Sequence, residues 1–128
     1  MSDSYAMTFN IKPTSKERPR FNTKTGHAYT PSKTRYFEGY VKSHARVQML
    51  RLQKHMLTGL VGVFVNFNFK RPKKTSLLTP RQDVDNILKG VLDALNGVCY
   101  TDDRNVCETY ATKQWADENS IKVTIVKL

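Results

Sequence analysis

Apolar and polar positions alternate from Met7 to Ile11 (MTFNI) with the two-residue period of a half-buried strand, and the pattern stops at Lys12-Pro13, where proline lacks a backbone donor. The following stretch, SKERPRFNTKTGHAYTP, is a basic loop in which Thr25-Gly26 can turn a short hairpin between Arg20-Phe21 and Ala28-Tyr29. From Pro31-Ser32 to about Leu57 there is no proline, and Tyr36, Phe37, Tyr40, Val41, Ala45, Met49, Leu52 and Met56 approximate helical spacing. This predicts a long helix capped by Ser32 and stopped by Gly59, in which Gly39 costs about 1 kcal/mol relative to alanine and suggests close packing or a bend. In GLVGVFVNFNF, Val61, Val63, Val65, Phe67 and Phe69 share one strand face. Farther on, Val84, Leu88, Val91 and Leu95 mark a second helix from about Val84 to Leu95, with Asp83 placed to cap it and Asn96-Gly97 to end it. Two strands close the chain, Asn105 to about Trp115 and Ser120 to Val126, with Asp117-Glu118-Asn119 in the turn.

The order strand, helix, strand, helix, strand, strand predicts an α+β fold, a mixed β-sheet packed against two helices. At 128 residues and 39% hydrophobic composition, without repeats or a Gly/Ser linker, the chain reads as a single domain over 1–128 with its own core. The longest apolar stretch, Leu60 to Phe69, is interrupted by Asn66 and Asn68 and is about half the roughly 20 residues a membrane-spanning helix needs. No membrane partner is expected. The opening MSDSYAMTF has no basic segment followed by an apolar one, which points to a cytoplasmic protein, and Cys99 and Cys107 are expected to be thiols with small, partly buried side chains.

Charge changes this picture. The 21 Lys and Arg against 11 Asp and Glu give a net charge of +10, which points to a polyanionic partner. The excess is uneven: residues 1–74 hold 15 basic and three acidic residues, whereas residues 75–128 hold six and eight. Asp83, Asp85, Asp93, Asp102 and Asp103 fall in a window of 21 residues whose one basic residue before Arg104 is Lys89.

That acidic island is the strongest chemical signal. Asp85, Lys89 and Asp93 are spaced by four along one helical stripe, and the loop NGVCYTDDRN has to travel back toward the sheet, so Asp102-Asp103 can return to the N-terminal end of the helix. Two like charges about 4 Å apart repel by about 4 kcal/mol at an effective dielectric near 20, and a divalent cation removes that repulsion. Oxygen ligands without His or Cys favour Mg²⁺ or Mn²⁺ over zinc, and such an ion suits phosphodiester hydrolysis, with Lys89 stabilising the transition state. The bland alternative is helix capping by Asp83, an Asp85–Lys89 ion pair and solvated loop acids.

The segment DVDNILKGVLDALNGVCYTDD resembles the signature of the RusA-type Holliday junction resolvases: an Asp-x-Asp-Asn opening, a Lys four residues after the second Asp, an Asp-Ala-Leu end and a downstream Asp pair. SKERPRF followed by AYTPSKT resembles the same family's basic N-terminal pattern. The resemblance implies a dimeric, Mg²⁺-dependent endodeoxyribonuclease that nicks opposing strands of four-way DNA junctions. It matches Asp83, Asp85 and Asp103 to the essential metal-binding carboxylates, Asp102 to the accompanying acid and Lys89 to the important lysine, with Asn86 and Asp93 in supporting positions. Gln82 departs from the basic residue frequent at that place, and Lys16-Glu17-Arg18 carries an acid where a small residue is common.

In such a nuclease the basic half supplies phosphate contacts, and Lys16, Arg18, Arg20, Lys33, Arg35, Lys70, Arg71, Lys73 and Lys74 are the candidate DNA-binding residues. Tyr29, Tyr36, Tyr40, Phe64, Phe67 and Phe69 are expected in the core, Trp115 as a core or edge anchor, and the scattered His27, His44 and His55 in surface or packing roles. Two rival readings remain: a basic DNA-binding module that does not catalyse, and a metal nuclease for ordinary duplex or single-stranded DNA.

Overall fold

A computed structural model describes residues 3–128. Strand β1 (Tyr5–Phe9) leads through the basic loop to a hairpin of β2 (Arg20–Asn22) and β3 (His27–Tyr29), then to helix α1 (Ser32–Leu52) and strand β4 (Val61–Lys70). Helix α2 (Val84–Leu95), a single 3₁₀ turn at Asp103–Asn105 and the strands β5 (Val106–Ala116) and β6 (Ser120–Lys127) complete the chain. The main sheet has the order β1-β6-β4-β5, antiparallel except between β4 and β5. Parallel neighbours need a crossover connection, and α2 supplies it.

The odd positions of β1, β4 and β6 face the helices. Tyr5, Met7 and Phe9, then Val61 through Phe69 at every second residue, then Ile121, Val123 and Ile125, are all buried. Against them pack Phe37, Val41, Ala45 and Met49, one per turn of α1, and Ile87, Val91, Ala94 and Leu95 of α2. These side chains form one core cluster. The helices meet at Gly90, where an added Cβ would make an ordinary contact with the Phe37 ring at 3.6 Å. The opposite sheet face carries a polar ladder in which Gln114 Nε2 donates to Asn68 Oδ1 at 2.8 Å and Asn68 Nδ2 donates to Ser120 Oγ at 3.1 Å.

Several local expectations are corrected. The first strand is Tyr5–Phe9, two residues earlier than the alternation suggested. Helix α1 ends at Leu52, because Gln53 adopts the left-handed conformation at φ 56° and its N–H returns to the Leu50 carbonyl. Leu57 is then drawn toward the core by donating its N–H to the Cys99 carbonyl at 2.9 Å. Pro31, and not Ser32, is the N-cap of α1, and it makes no side-chain cap. Gly39 has open space around it, so it serves neither close packing nor a bend that a Cβ would prevent. Tyr36 is 70% exposed and Tyr29 lies on the exposed hairpin, so neither joins the core, while Cys107 is exposed and Cys99 buried. The hairpin itself has Arg20 opposite Tyr29 and Phe21 opposite Ala28, with Gly26 at φ +72° in its turn.

Candidate active site

The acidic residues are arranged by α2 and the two segments that flank it. Asp83 precedes the helix in an extended conformation, and its backbone carbonyl accepts from Asn86 and Ile87 N–H at 3.1 Å each. Its carboxylate makes no cap hydrogen bond, contrary to the capping role the sequence suggested. Asp85, in the first turn, accepts from the Asn86 N–H at 2.9 Å.

Asp85 and Asp103 line one cleft of about 220 Å³, together with Leu88, Lys89, Leu92, Asp93, Val106 and Thr109. The loop after α2 thus brings Asp103 to the face of the helix that carries Asp85. Asp83 and Asp102 do not line that cleft, so the four carboxylates are not gathered into one closed cage. Among the described residues no three His, Cys, Asp or Glu side chains converge as a ready-made metal cluster. Asp102 caps the 3₁₀ turn by accepting from the Arg104 N–H at 3.0 Å. That bond, with a hydrogen bond shared with Asp103 and the nearby Arg104 guanidinium, holds its carboxyl below the usual carboxylate range.

The donor set suits a hard divalent cation in an open site. Three carboxylates line the open cleft, Asp85, Asp103 and the Lys16-paired Asp93, and no imidazole or thiolate does. Mg²⁺ is commonly held by one or two carboxylates, with waters and substrate phosphate oxygens completing the shell.

Lys89 borders the cleft and is 67% exposed, with its Nζ 4.0 Å from Asp93 Oδ2; the Asp85–Lys89 pair of the bland reading is not formed. Asp93 belongs mainly to Lys16, whose Nζ lies 2.7 Å from Asp93 Oδ2 and 2.6 Å from Glu38 Oε1. The Lys16 N–H also donates to Asn86 Oδ1. Burial opposes the charge on Lys16, but the bonds to Asp93 and Glu38 outweigh it and raise its pKa above the usual lysine value. Lys16 therefore ties the basic loop to both helices, and Asn86 and Asp93 act as its anchors. Arg20 is likewise paired, with Glu17 at 3.1 Å.

The other basic candidates stand exposed. Lys33 and Arg35 open α1 and border the clefts around its start, while Arg18, Lys70, Arg71, Lys73 and Lys74 lie on exposed loop or strand-end positions. Sequence reasoning missed Lys113, whose Nζ donates to the carbonyls of Pro80 and Gln82, each at 2.7 Å, and so fixes the turn immediately before Asp83. Its place among alternating residues of a strand gave no sign of this. Trp115, two positions on, is the anchor expected of it: its Nε1 donates to the Leu77 carbonyl at 3.0 Å.

Comparison with known proteins adds two findings. The family model described as endodeoxyribonuclease RusA matches residues 10–126, nearly the whole chain. An uncharacterized protein, YqaN of Bacillus subtilis (strain 168), is 32% identical, covering 96% of this chain and 96% of its own length.

Proposed function

Because the chain belongs to the RusA endodeoxyribonuclease family, we propose that it is a Mg²⁺-dependent nuclease that resolves four-way DNA junctions by paired symmetric nicks. It acts as a homodimer, in DNA recombination and repair, in the cytoplasm of a bacterial or phage-infected cell. The observation that carries this reading is the cleft shared by Asp85, Asp103 and Lys89 in a strongly basic chain.

Asp85 and Asp103 would hold the cation directly, with Asp83 and Asp102 beside them as further carboxylates for substrate-loaded geometry. When bound, Mg²⁺, or Mn²⁺ in its place, neutralises charge on the phosphodiester and favours ionisation of the attacking water. The Lys89 ammonium, free to swing from Asp93 at 4.0 Å, supplies a positive charge where the pentavalent phosphate gains negative charge. Lys16, Asn86 and Asp93 hold α2 against the basic loop, so the carboxylates and the phosphate-binding surface keep a constant relation.

The test is nicking of a four-way junction, a fork and a linear duplex in Mg²⁺ and in EDTA. Asp85→Asn and Asp103→Asn should each lower cleavage by about 10²-fold or more while leaving junction binding intact or tighter, since removing negative charge beside phosphates reduces repulsion. Binding without nicking by the unmodified protein would leave only a DNA-binding module. Equal rates on all three substrates would identify an unselective nuclease.

A further inference from the structure

At the C-terminal end of β4 and β5, a pocket of about 310 Å³ is walled by Phe69 and Trp115 and ringed by Lys12, Lys70, Lys74 and Arg81. The four cations come from three separate segments: the loop after β1, the end of β4 and the loop before α2. No carboxylate lines the pocket. Lys16, Arg20, Lys89, Arg104 and Lys127 all have acidic partners, yet none of these four cations is ion-paired among the described residues. Converging unpaired cations repel one another by the same Coulomb cost as converging carboxylates, and an anion relieves it. The loop that carries Lys74 and Arg81 is not loosely draped. Trp115 Nε1 holds it at the Leu77 carbonyl and Lys113 Nζ holds it at Pro80 and Gln82, so the cations are presented from a fastened backbone.

Lys12 and Gln82 also line the neighbouring cleft of about 750 Å³ that reaches Lys33 at the start of α1, so the pocket opens onto a longer basic trough. The carboxylate cleft lies toward the other end of β5, at Thr109. On the helix side the two approach each other, since Gln82 lines the pocket and Asp85, three residues on, lines the cleft.

From this arrangement we propose that the pocket of Lys12, Lys70, Lys74 and Arg81 is a backbone-phosphate site, which seats a phosphodiester of a DNA arm outside the cleft where the strand is cut. The proposal rests on the nuclease reading for its ligand, a DNA strand, but not for its chemistry. Cations that meet phosphates carry no sequence information, so such a pocket would position the arm rather than read its bases.

The test uses the full chain and a labelled four-way junction in EDTA, so that binding is read without cleavage. Compared with the unmodified protein, the Lys74→Ala/Arg81→Ala double variant should bind more weakly, with a plot of log affinity against log salt about 2 units shallower. Trp115, the one tryptophan in the chain, should change its fluorescence on junction binding. Neutral methylphosphonates moved one position at a time along the arms should weaken binding by the unmodified protein at a position where they leave the double variant unaffected. An unchanged salt slope in the double variant overturns the pocket while leaving the nuclease reading intact. A Trp115 response to inorganic phosphate with no change in the DNA slope overturns the assignment to DNA in favour of a free-phosphate site. Slope, fluorescence and methylphosphonate effects without any nicking in Mg²⁺ uphold the pocket and sink the nuclease reading.

Discussion

Two carbonyls, those of Pro80 and Gln82, end the loop before α2, and both accept from the Lys113 ammonium at 2.7 Å. Lys113→Met keeps the unbranched stem without the ammonium and removes both bonds, which should lower stability by about 1–3 kcal/mol in urea unfolding. Because Asp83 follows Gln82 directly, the same change should lower kcat at saturating junction by about tenfold or more, with little effect on junction affinity in EDTA. Lys113→Arg should restore much of both. A variant that loses stability but keeps full kcat would show that Lys113 has only a structural part. At this scale the carboxylates were legible because local spacing carries them: Asp85, Lys89 and Asp93 recur every four residues, and Asp83 and Asp102-Asp103 flank the helix. The groups that hold them were not. Lys16 meets Asn86 across 70 residues, and Lys113 meets Pro80 across 33, so nothing in either neighbourhood distinguishes an anchoring lysine from a solvated one. The Asp83 cap was a reasonable expectation of residue type, and Asp83 is the N-cap residue, but its carboxylate makes no hydrogen bond to the first-turn N–H groups.

Gly39 makes the matching point for elements. It sits inside α1 with helical neighbours on both sides, and a Cβ there would meet nothing within 4 Å. Gly39→Ala should therefore stabilise the protein by about 0.5–1 kcal/mol, because alanine limits the unfolded chain and meets no clash in the helix. A higher thermal midpoint would show it, and a lower one would mean that the glycine accommodates something absent from the free chain. Helix α2 and strands β4 and β6 follow their sequence patterns closely, since each carries an uninterrupted apolar period on a single buried face. The far end of α1 does not. Met56 fits the helical spacing and the pattern runs to about Leu57, but Leu57 makes a hydrogen bond to Cys99 and an isolated bridge to Tyr100, and this tertiary pull overrides the local period after Gln53. The same reason displaces β1 toward Tyr5: its Tyr5 hydroxyl donates to the Cys99 carbonyl at 3.4 Å, and Tyr5 pairs with Ile125. The edge of β1 is covered by Gln48, whose amide donates to the Thr8 carbonyl and accepts from the Thr8 N–H, a contact between α1 and a strand 40 residues away. Periodicity reports faces well and ends poorly, because ends are decided by such distant partners.

For the molecule as a whole, several buried or bonded protons act in the same direction on stability at alkaline pH. Burial pushes the Cys99 thiol up to about 11 from an ordinary value of 9.0, against a smaller opposing effect of its bond with Tyr5. The Tyr5 and Tyr100 hydroxyls are also pushed up, first by burial and then by the charge Cys99 would acquire. In each case the folded chain keeps a proton that the unfolded chain releases at lower pH, so stability falls as pH rises through the interval between the two values. Lys16 adds to this trend: its raised pKa means that its contribution is complete below the unfolded lysine value and is lost as pH climbs through the folded one. The urea midpoint should therefore hold level to about pH 8.5 and fall progressively from about pH 9 to 11, with the Cys99 thiol alone accounting for roughly 2–3 kcal/mol across its two-unit interval. Cys99→Ala should have a lower starting stability, from the space it leaves in a fully buried site, but a flatter curve whose descent begins near pH 10, where the tyrosines take over. An unchanged onset at pH 9 in that variant would remove the thiol from the account.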